Sequence, residues 1–373
     1  MNTLKIFFHP SNFKMLFFGF SSGLPILLVF STLSVWLFKA GISRSTVTLF
    51  SWAGFAYAFK YLWSPIVDNF KIPFLQKMGH RRSWLFLAQL MIVFSLIATS
   101  LTDPAQNLVY TALAITSLAI FSATQDIVID AYRIESAPQK LQGSLSSLYI
   151  AGYRLAMLVG GAGSLWLASS LSGEIYDKLV WRIVYLSMAL LMGIGIITTI
   201  LSEEPKIIKK KFLSMTQHTK FLFVFVLALL GFLFLYNFIQ NPFNNNEVVY
   251  KFIFSTSRIF LCFIFSSLII YLFVKINFVS REQTKKIYFE PINNFTKRYG
   301  KFAFYILLLI SLYRIADVVM GVVANIFYLE KGFDIKEIAT YSKFFGVFAT
   351  ILGGFLGGFF SFKFGTMKSL FFG

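Results

Sequence analysis

Twenty-four consecutive residues, Met15–Phe38, carry no charge. As an α-helix such a run covers the ~30 Å hydrocarbon thickness of a bilayer. Comparable runs recur at about 46–68, 83–101, 107–131, 142–170, 181–201, 220–240, 252–274, 302–329 and 338–360, ten in all. They lack the two-residue alternation of a membrane barrel and are about twice the length of a tilted spanning strand. Composition agrees, because only 13% of the 373 residues are charged, about half the share usual in a soluble domain. The reading is an all-α integral membrane protein with about ten transmembrane helices.

A net charge of +18 would suggest a nucleic-acid partner if the basic residues were pooled on one soluble face. They are distributed by loop instead. With the N-terminus cytoplasmic, segments 1–14, 69–82, 132–141, 202–220, 275–301 and 361–373 hold 22 Lys and Arg, and the alternate loops hold 7. That bias satisfies the positive-inside rule and accounts for the charge without nucleic acid. A cleavable leader is not expected, since only three apolar residues separate Lys5 from His9-Pro10. Cys262 has no second cysteine to pair with and reads as a small hydrophobe.

The polar stretch 202–219, with Glu203-Glu204-Pro205, follows six spans. A transporter of two six-helix bundles places its linker there. The predicted organisation is a six-helix bundle over 1–201, a cytoplasmic linker over 202–219 and an inserted two-helix hairpin over 220–279. A cytoplasmic loop over 280–301 and the start of a C-terminal bundle over 302–373 follow. The hairpin is Phe-rich and carries one deep cation, Arg258, close enough to the outer end to snorkel. An offset of 291 pairs Gly41 with Gly332, Val47 with Ile338 and Ser51 with Ser342, a weak internal repeat of the kind transporters show. On this plan the C-terminal half is incomplete, about four spans short.

Ionisable side chains at bilayer depth are costly unless paired or facing water. Six lie well inside the predicted spans: Lys60, Asp126, Asp130, Arg154, Arg314 and Asp317. Asp126 and Asp130, four apart, share a helix face about one turn from each other. Two carboxylates so placed in low dielectric suit the uptake and release of a proton, and they are the candidates for proton coupling. Gln125 beside them offers an amide to a polar ligand. The alternative is an Asp–Arg pair that simply locks helices together. Arg314 and Asp317, three apart, fit either a local pair or a pathway. At the inner helix ends, Asp68, Arg81, Arg82, Arg133 and Glu135 are candidates for the ion pairs of a cytoplasmic gate.

No enzymatic chemistry is expected. His9, His80 and His218 are scattered without metal-ligand spacing, and no glycine-rich phosphate loop with its lysine occurs. Neither a cofactor nor a metal is implied.

Several motifs together resemble the muropeptide permeases of Gram-negative bacteria, the AmpG family within the major facilitator superfamily. They are Gly19-Phe20-Ser21-Ser22-Gly23-Leu24-Pro25, Trp63-Ser64-Pro65 with Asp68, His80-Arg81-Arg82, and Gln125-Asp126-Ile127-Val128-Ile129-Asp130-Ala131. Gly152-Tyr153-Arg154 with Met157-Leu158-Val159, and Tyr313-Arg314 with Asp317, complete the set. The resemblance implies a major-facilitator-like helical bundle in the bacterial inner membrane. It also implies proton-dependent import of anhydro-muropeptides (GlcNAc-anhydroMurNAc peptides) for cell-wall recycling. Its partners would be the lipid bilayer, an anionic sugar–peptide and protons, with the chain a monomer or completed by a separate C-terminal chain. By similarity Gln125, Asp126, Asp130, Tyr153 and Arg154 would line the pathway; Lys60, Arg314 and Asp317 join them as deep charges. The family's last four spans have no counterpart here. The alternatives are therefore a truncated, non-transporting remnant, a split-gene partner of such a permease, or a relative of the acetyl-CoA transporters.

Overall fold

A computed structural model describes residues 10–137, 142–173, 176–205, 215–240, 242, 248–285 and 289–349 of the chain. The described elements are helical. Two units are distinguished, the first comprising 1–64, 71–208 and 311–373, the second 65–70 and 209–310.

In the first unit α1 (Pro10–Val29) and α2 (Ser31–Lys39) form one spanning stretch, Phe13–Lys39. Phe30 joins them, and the hydrogen-bond ladder continues through Phe30 N to Ile26 O and Ser34 N to Phe30 O. Next come α3 (Arg44–Leu49), a 3₁₀ turn at Phe50–Ala53, α4 (Gly54–Ala58), a second 3₁₀ turn at Lys60–Leu62, and α5 (Ser64–Asn69), which runs into the second unit. The stretch predicted as one continuous span at 46–68 is thus a chain of short pieces. Phe59 and Trp63 sit near φ −100° to −110° with ψ close to zero. Pro65 supplies no N–H and disfavours helical geometry at the residue before it.

Longer helices complete the bundle: α6 (His80–Leu101), α7 (Leu108–Ser136), α8 (Gln142–Met157), and α10 (Lys178–Leu201). Between the last two, a π-helical turn at Leu158–Gly163 carries α8 into α9 (Ser164–Leu171). The second unit contributes α11 (Met215–Phe238), α12 (Val248–Lys275), and the short α13 (Arg281–Thr284) and α14 (Glu290–Tyr299). A 29-residue helix, α15 (Phe302–Glu330), begins in the second unit and ends in the first, before α16 (Ile335–Glu337) and a π-helical segment at Ile338–Phe345. Seven stretches among the described residues are long and apolar enough to cross a membrane, two of them in the second unit. The predicted span at 302–329 coincides with α15, and the one at 338–360 lies partly outside the described residues.

In the second unit α11 pairs with α12. Arg258 lies 3.8 Å over the Tyr236 ring and donates to Ile239 O at 2.9 Å, so its cation is held at the end of α11.

The closest approach in the first unit is between α1 and α8. A methyl group built on Gly19 would overlap the Tyr149 carbonyl oxygen, and one on Gly152 would overlap that of Leu16. The two backbones therefore touch, as small residues at helix crossings in membranes allow. Towards the outer end Trp36 stacks 5.9 Å from Trp181 and 5.2 Å from Tyr185, whose hydroxyl donates to Leu28 O at 3.0 Å. Trp36 Nε1 donates to the Tyr176 hydroxyl, which donates to Asp103, each at 3.1 Å. Burial pushes the Tyr176 phenol up to about 12, so it keeps its proton and remains a donor.

The weak repeat is visible in the backbone. Gly41 and Gly332 have φ of +80° and +89°. Ile42 N bonds Leu37 O as Phe333 N bonds Tyr328 O, and Val47 N bonds Ser43 O as Ile338 N bonds Asp334 O. Each pair is offset by 291. The repeat also meets itself: buried Asn325, the counterpart of Ser34, donates from Nδ2 among Ser34 Oγ (3.1 Å), Ser31 Oγ (3.1 Å) and Ser31 O (3.2 Å). Arg44 pairs with Glu330 at 3.0 Å nearby.

Gly152→Ala forces a methyl into backbone at the α1–α8 crossing, and should destabilise the protein by about 1–3 kcal/mol. The check is the thermal midpoint in detergent. Gly193→Ala, in α10 where a methyl meets nothing within 4 Å, should leave it unchanged or slightly raised.

Candidate functional site

The break in the second apolar stretch is what aims a cation into the bundle. Lys60 starts the 3₁₀ turn after Phe59, and its Nζ lies 4.0 Å from Asp126 Oδ2 and 3.7 Å from Asp130 Oδ2. Both carboxylates project from one face of α7, as their spacing of four predicts. Trp63 Nε1 donates to Thr124 Oγ1 at 3.1 Å and fastens the end of the same turn to α7. Lys60 is thus the cation that the two aspartates share, and among the described residues no arginine pairs with Asp126.

The two carboxylates differ in surroundings. Asp126 has a side chain 14% exposed, and its Oδ1 accepts from Ser22 Oγ at 2.5 Å. Ser22 in turn lies 2.8 Å from the Tyr149 hydroxyl. Asp130 is 48% exposed, one turn nearer the inner end, and its other oxygen faces Arg133 NH2 at 3.8 Å. Arg133 also donates to Ser146 Oγ at 2.7 Å. A continuous polar chain therefore runs Tyr149–Ser22–Asp126–Lys60–Asp130–Arg133. It crosses from α8 and α1 through α7 to the inner surface, and the hydroxyl end depends on the α1–α8 contact.

The other pathway candidates divide. Tyr153 is half-buried on α8, its ring 6.1 Å from that of Tyr149. Arg154 is half-buried, donates to Met157 Sδ at 3.7 Å, and has no carboxylate partner among the described residues. Gln125 is fully buried, and its amide donates to Ser21 O at 2.9 Å. It ties α7 to α1 and presents no surface to a ligand. The side chains of Arg314 and Asp317 lie outside the described residues, although α15 passes through both positions.

At the inner end Arg81, 1% exposed, grips Glu135 with Nε at 2.9 Å and NH2 at 2.7 Å. The Glu204 carboxylate accepts from the backbone N–H groups of Arg81 and Arg82 at 2.8 and 3.0 Å, capping α6. Arg82 donates to Thr199 O and Ile200 O at 3.1 and 2.7 Å, capping α10. An acid at a helix N-terminus and a cation at a C-terminus both complement the helix dipole. These contacts bind helices of one unit to each other; Asp68 belongs to α5 in the second unit. Sequence reasoning missed Ser22, Tyr149 and Glu204. Ser22 sits in an uncharged span, Tyr149 is four residues before Tyr153, and Glu204 follows a span end closely. No group of three or more metal-ligating side chains occurs among the described residues.

Glu135→Gln removes the carboxylate charge that buried Arg81 grips and should cost about 3–5 kcal/mol. The double variant Arg81→Met with Glu135→Leu should recover most of that loss in the same thermal assay, since a buried pair contributes little over apolar packing.

No protein-family model matches the chain. Among curated proteins it is 32% identical to a putative transporter AmpG 4 of Rickettsia felis over 98% of its own length and 71% of that protein. A protein of the same name from Rickettsia conorii is 30% identical over 99% and 72%. The anhydromuropeptide permease of Escherichia coli K12 is 38% identical over 54% of the chain and 39% of its own length. These relatives are named as transporters and permeases, not as enzymes.

Proposed function

The chain belongs to the AmpG transporter family, and from that premise we propose that it carries anhydro-muropeptides across the bacterial inner membrane in symport with protons. The observation that carries the reading is Lys60 held between Asp126 and Asp130. With both carboxylates ionised, the cluster of Lys60, Arg133, Asp126 and Asp130 is neutral and offers an anion little. A proton on Asp126 removes one negative charge and frees Lys60 to face another carboxylate. Arg154, one residue beyond Tyr153, adds a second cation. A peptide bearing free carboxylates is the kind of substrate that such a site would hold. Proton and substrate then favour each other's binding, which is the reciprocity symport needs. A coupling of the usual 1–3 kcal/mol corresponds to an affinity change of about 5–150-fold.

The two ends of the bundle differ in what they offer a proton. Asp130 is the more accessible acid and lies towards the inner end, where it can exchange protons with water. At the outer end Asn325 ties α15 to α2, and the Arg44–Glu330 pair ties it to α3.

Uptake of labelled anhydro-muropeptide into vesicles with an imposed pH gradient tests the assignment. Asp126→Asn should reduce gradient-driven accumulation by about tenfold or more. Exchange of internal for external substrate, which needs no net proton movement, should stay within about twofold. Full accumulation by both Asp126→Asn and Asp130→Asn would remove the coupling role from this cluster.

A further inference from the structure

In the second unit, α14 is amphipathic in a way that neither spanning nor solvation explains. Ten residues span about 15 Å, half of the hydrocarbon thickness, and isolated helices of that length are marginal in water. At 100° per residue, Phe289, Phe295 and Tyr299 fall within one sector of about 120°, while Glu290, Asn294, Lys297 and Arg298 occupy the opposite side. Phe289 and Tyr299 are 62% and 40% exposed. The Phe295 and Tyr299 rings touch at a tilt of 49°, with centroids 4.9 Å apart. Apolar surface is therefore presented outward on one face, and Lys297, Arg298 and Lys301 are all exposed, the Arg298 guanidinium reaching back to 5.6 Å from the Tyr299 ring at the edge of that face.

The tether decides what can meet that face. Tyr299 is three residues from the start of α15, so its backbone lies within about 10 Å of that helix's first turn. Gly300, at φ +53°, makes the corner. The same segment begins where the apolar helix α12 ends, at Lys275. From 275 to 301 it holds seven Lys and Arg against two Glu.

We propose that α14 lies in the plane of the inner leaflet as an anchor for anionic lipid. Phe289, Phe295 and Tyr299 enter the boundary between head groups and acyl chains, and Lys297, Arg298 and Lys301 meet lipid phosphates. A short helix with aromatic residues on one face and basic residues on the other is the form that binds such an interface, and each basic residue near an anionic surface adds to the attraction. Charge complementarity selects the occupant: a zwitterionic surface would engage the aromatic face alone. The proposal does not depend on what the first unit transports.

The test uses the full chain in bilayer nanodiscs of phosphatidylcholine, with and without phosphatidylglycerol. Spin labels are placed singly at Phe295→Cys and Asn294→Cys in a Cys262→Ser background, the native thiol being buried within α12. Collision with oxygen, which partitions into lipid, is compared with collision with a neutral aqueous nickel chelate. The label at 295 should favour oxygen and the label at 294 the chelate, a contrast of about threefold or more between neighbours on opposite faces. Phosphatidylglycerol should increase the contrast, and high salt or Lys297→Gln with Arg298→Gln should abolish that increase. Equal accessibility at 294 and 295 overturns in-plane burial. A contrast that ignores phosphatidylglycerol, salt and the two substitutions overturns the anionic-lipid assignment.

Discussion

Backbone contact between α1 and α8 is the constraint on which the site depends. Gly19 and Gly152 remove the side chains that would hold these helices apart. In hydrocarbon there is no hydrophobic force between helices, so close packing and interhelical hydrogen bonds must supply the association. The contact brings the Tyr149 hydroxyl to Ser22 and Ser22 to Asp126. Gln125, whose amide reaches Ser21 O, fixes α7 against the same helix. Without that crossing, Asp126 would face lipid or an unfilled gap, at the cost of several kcal/mol for an unsatisfied polar group.

A second constraint is that charge at depth must find charge. The helix containing Lys60 is interrupted on both sides of it, and the irregular backbone is tolerated where it is buried in protein or lines a polar cavity. The interruption turns a long run of apolar residues into a short arm that holds one ammonium between two carboxylates. At the inner end, Arg81, Arg82, Glu135 and Glu204 solve a related problem, because helix termini leave N–H and C=O groups without partners. There the acids and guanidinium groups satisfy helix ends as well as each other.

Much of this was legible from the residues alone. The absence of charge over Met15–Phe38 and its repetition identified the spanning class, and the spacing of Asp126 and Asp130 placed them on one face. The offset of 291 showed a weak repeat, which returns as matched hydrogen bonds at Gly41 and Gly332. Other features were not legible. The run at 46–68 has the composition of a continuous span, and Pro65 marks only the last of its breaks; nothing in its residues marks the 3₁₀ turn at Phe50–Ala53. Gln125 looked like a ligand group because an amide offers the same donors and acceptors to a substrate as to a neighbouring helix. Glu204 looked like linker, since a cap is defined by the helix end it approaches and not by its own neighbours in sequence.

The sequence by itself determined that the chain is a bundle of membrane helices, which way the positive loops face, and which few charges are costly enough to matter. These properties depend on the transfer free energies of residues taken in runs, and those add up locally. Only the tertiary structure decided that Lys60, and not Arg154, neutralises the aspartates, and that Ser22 and Tyr149 complete the polar chain. It also decided that Asn325 closes the outer end against its own counterpart in the repeat. Pairings of this kind join residues separated by up to 294 positions. They are set by how helices cross, a geometry that depends on small residues on two helices at once and is written on neither helix alone.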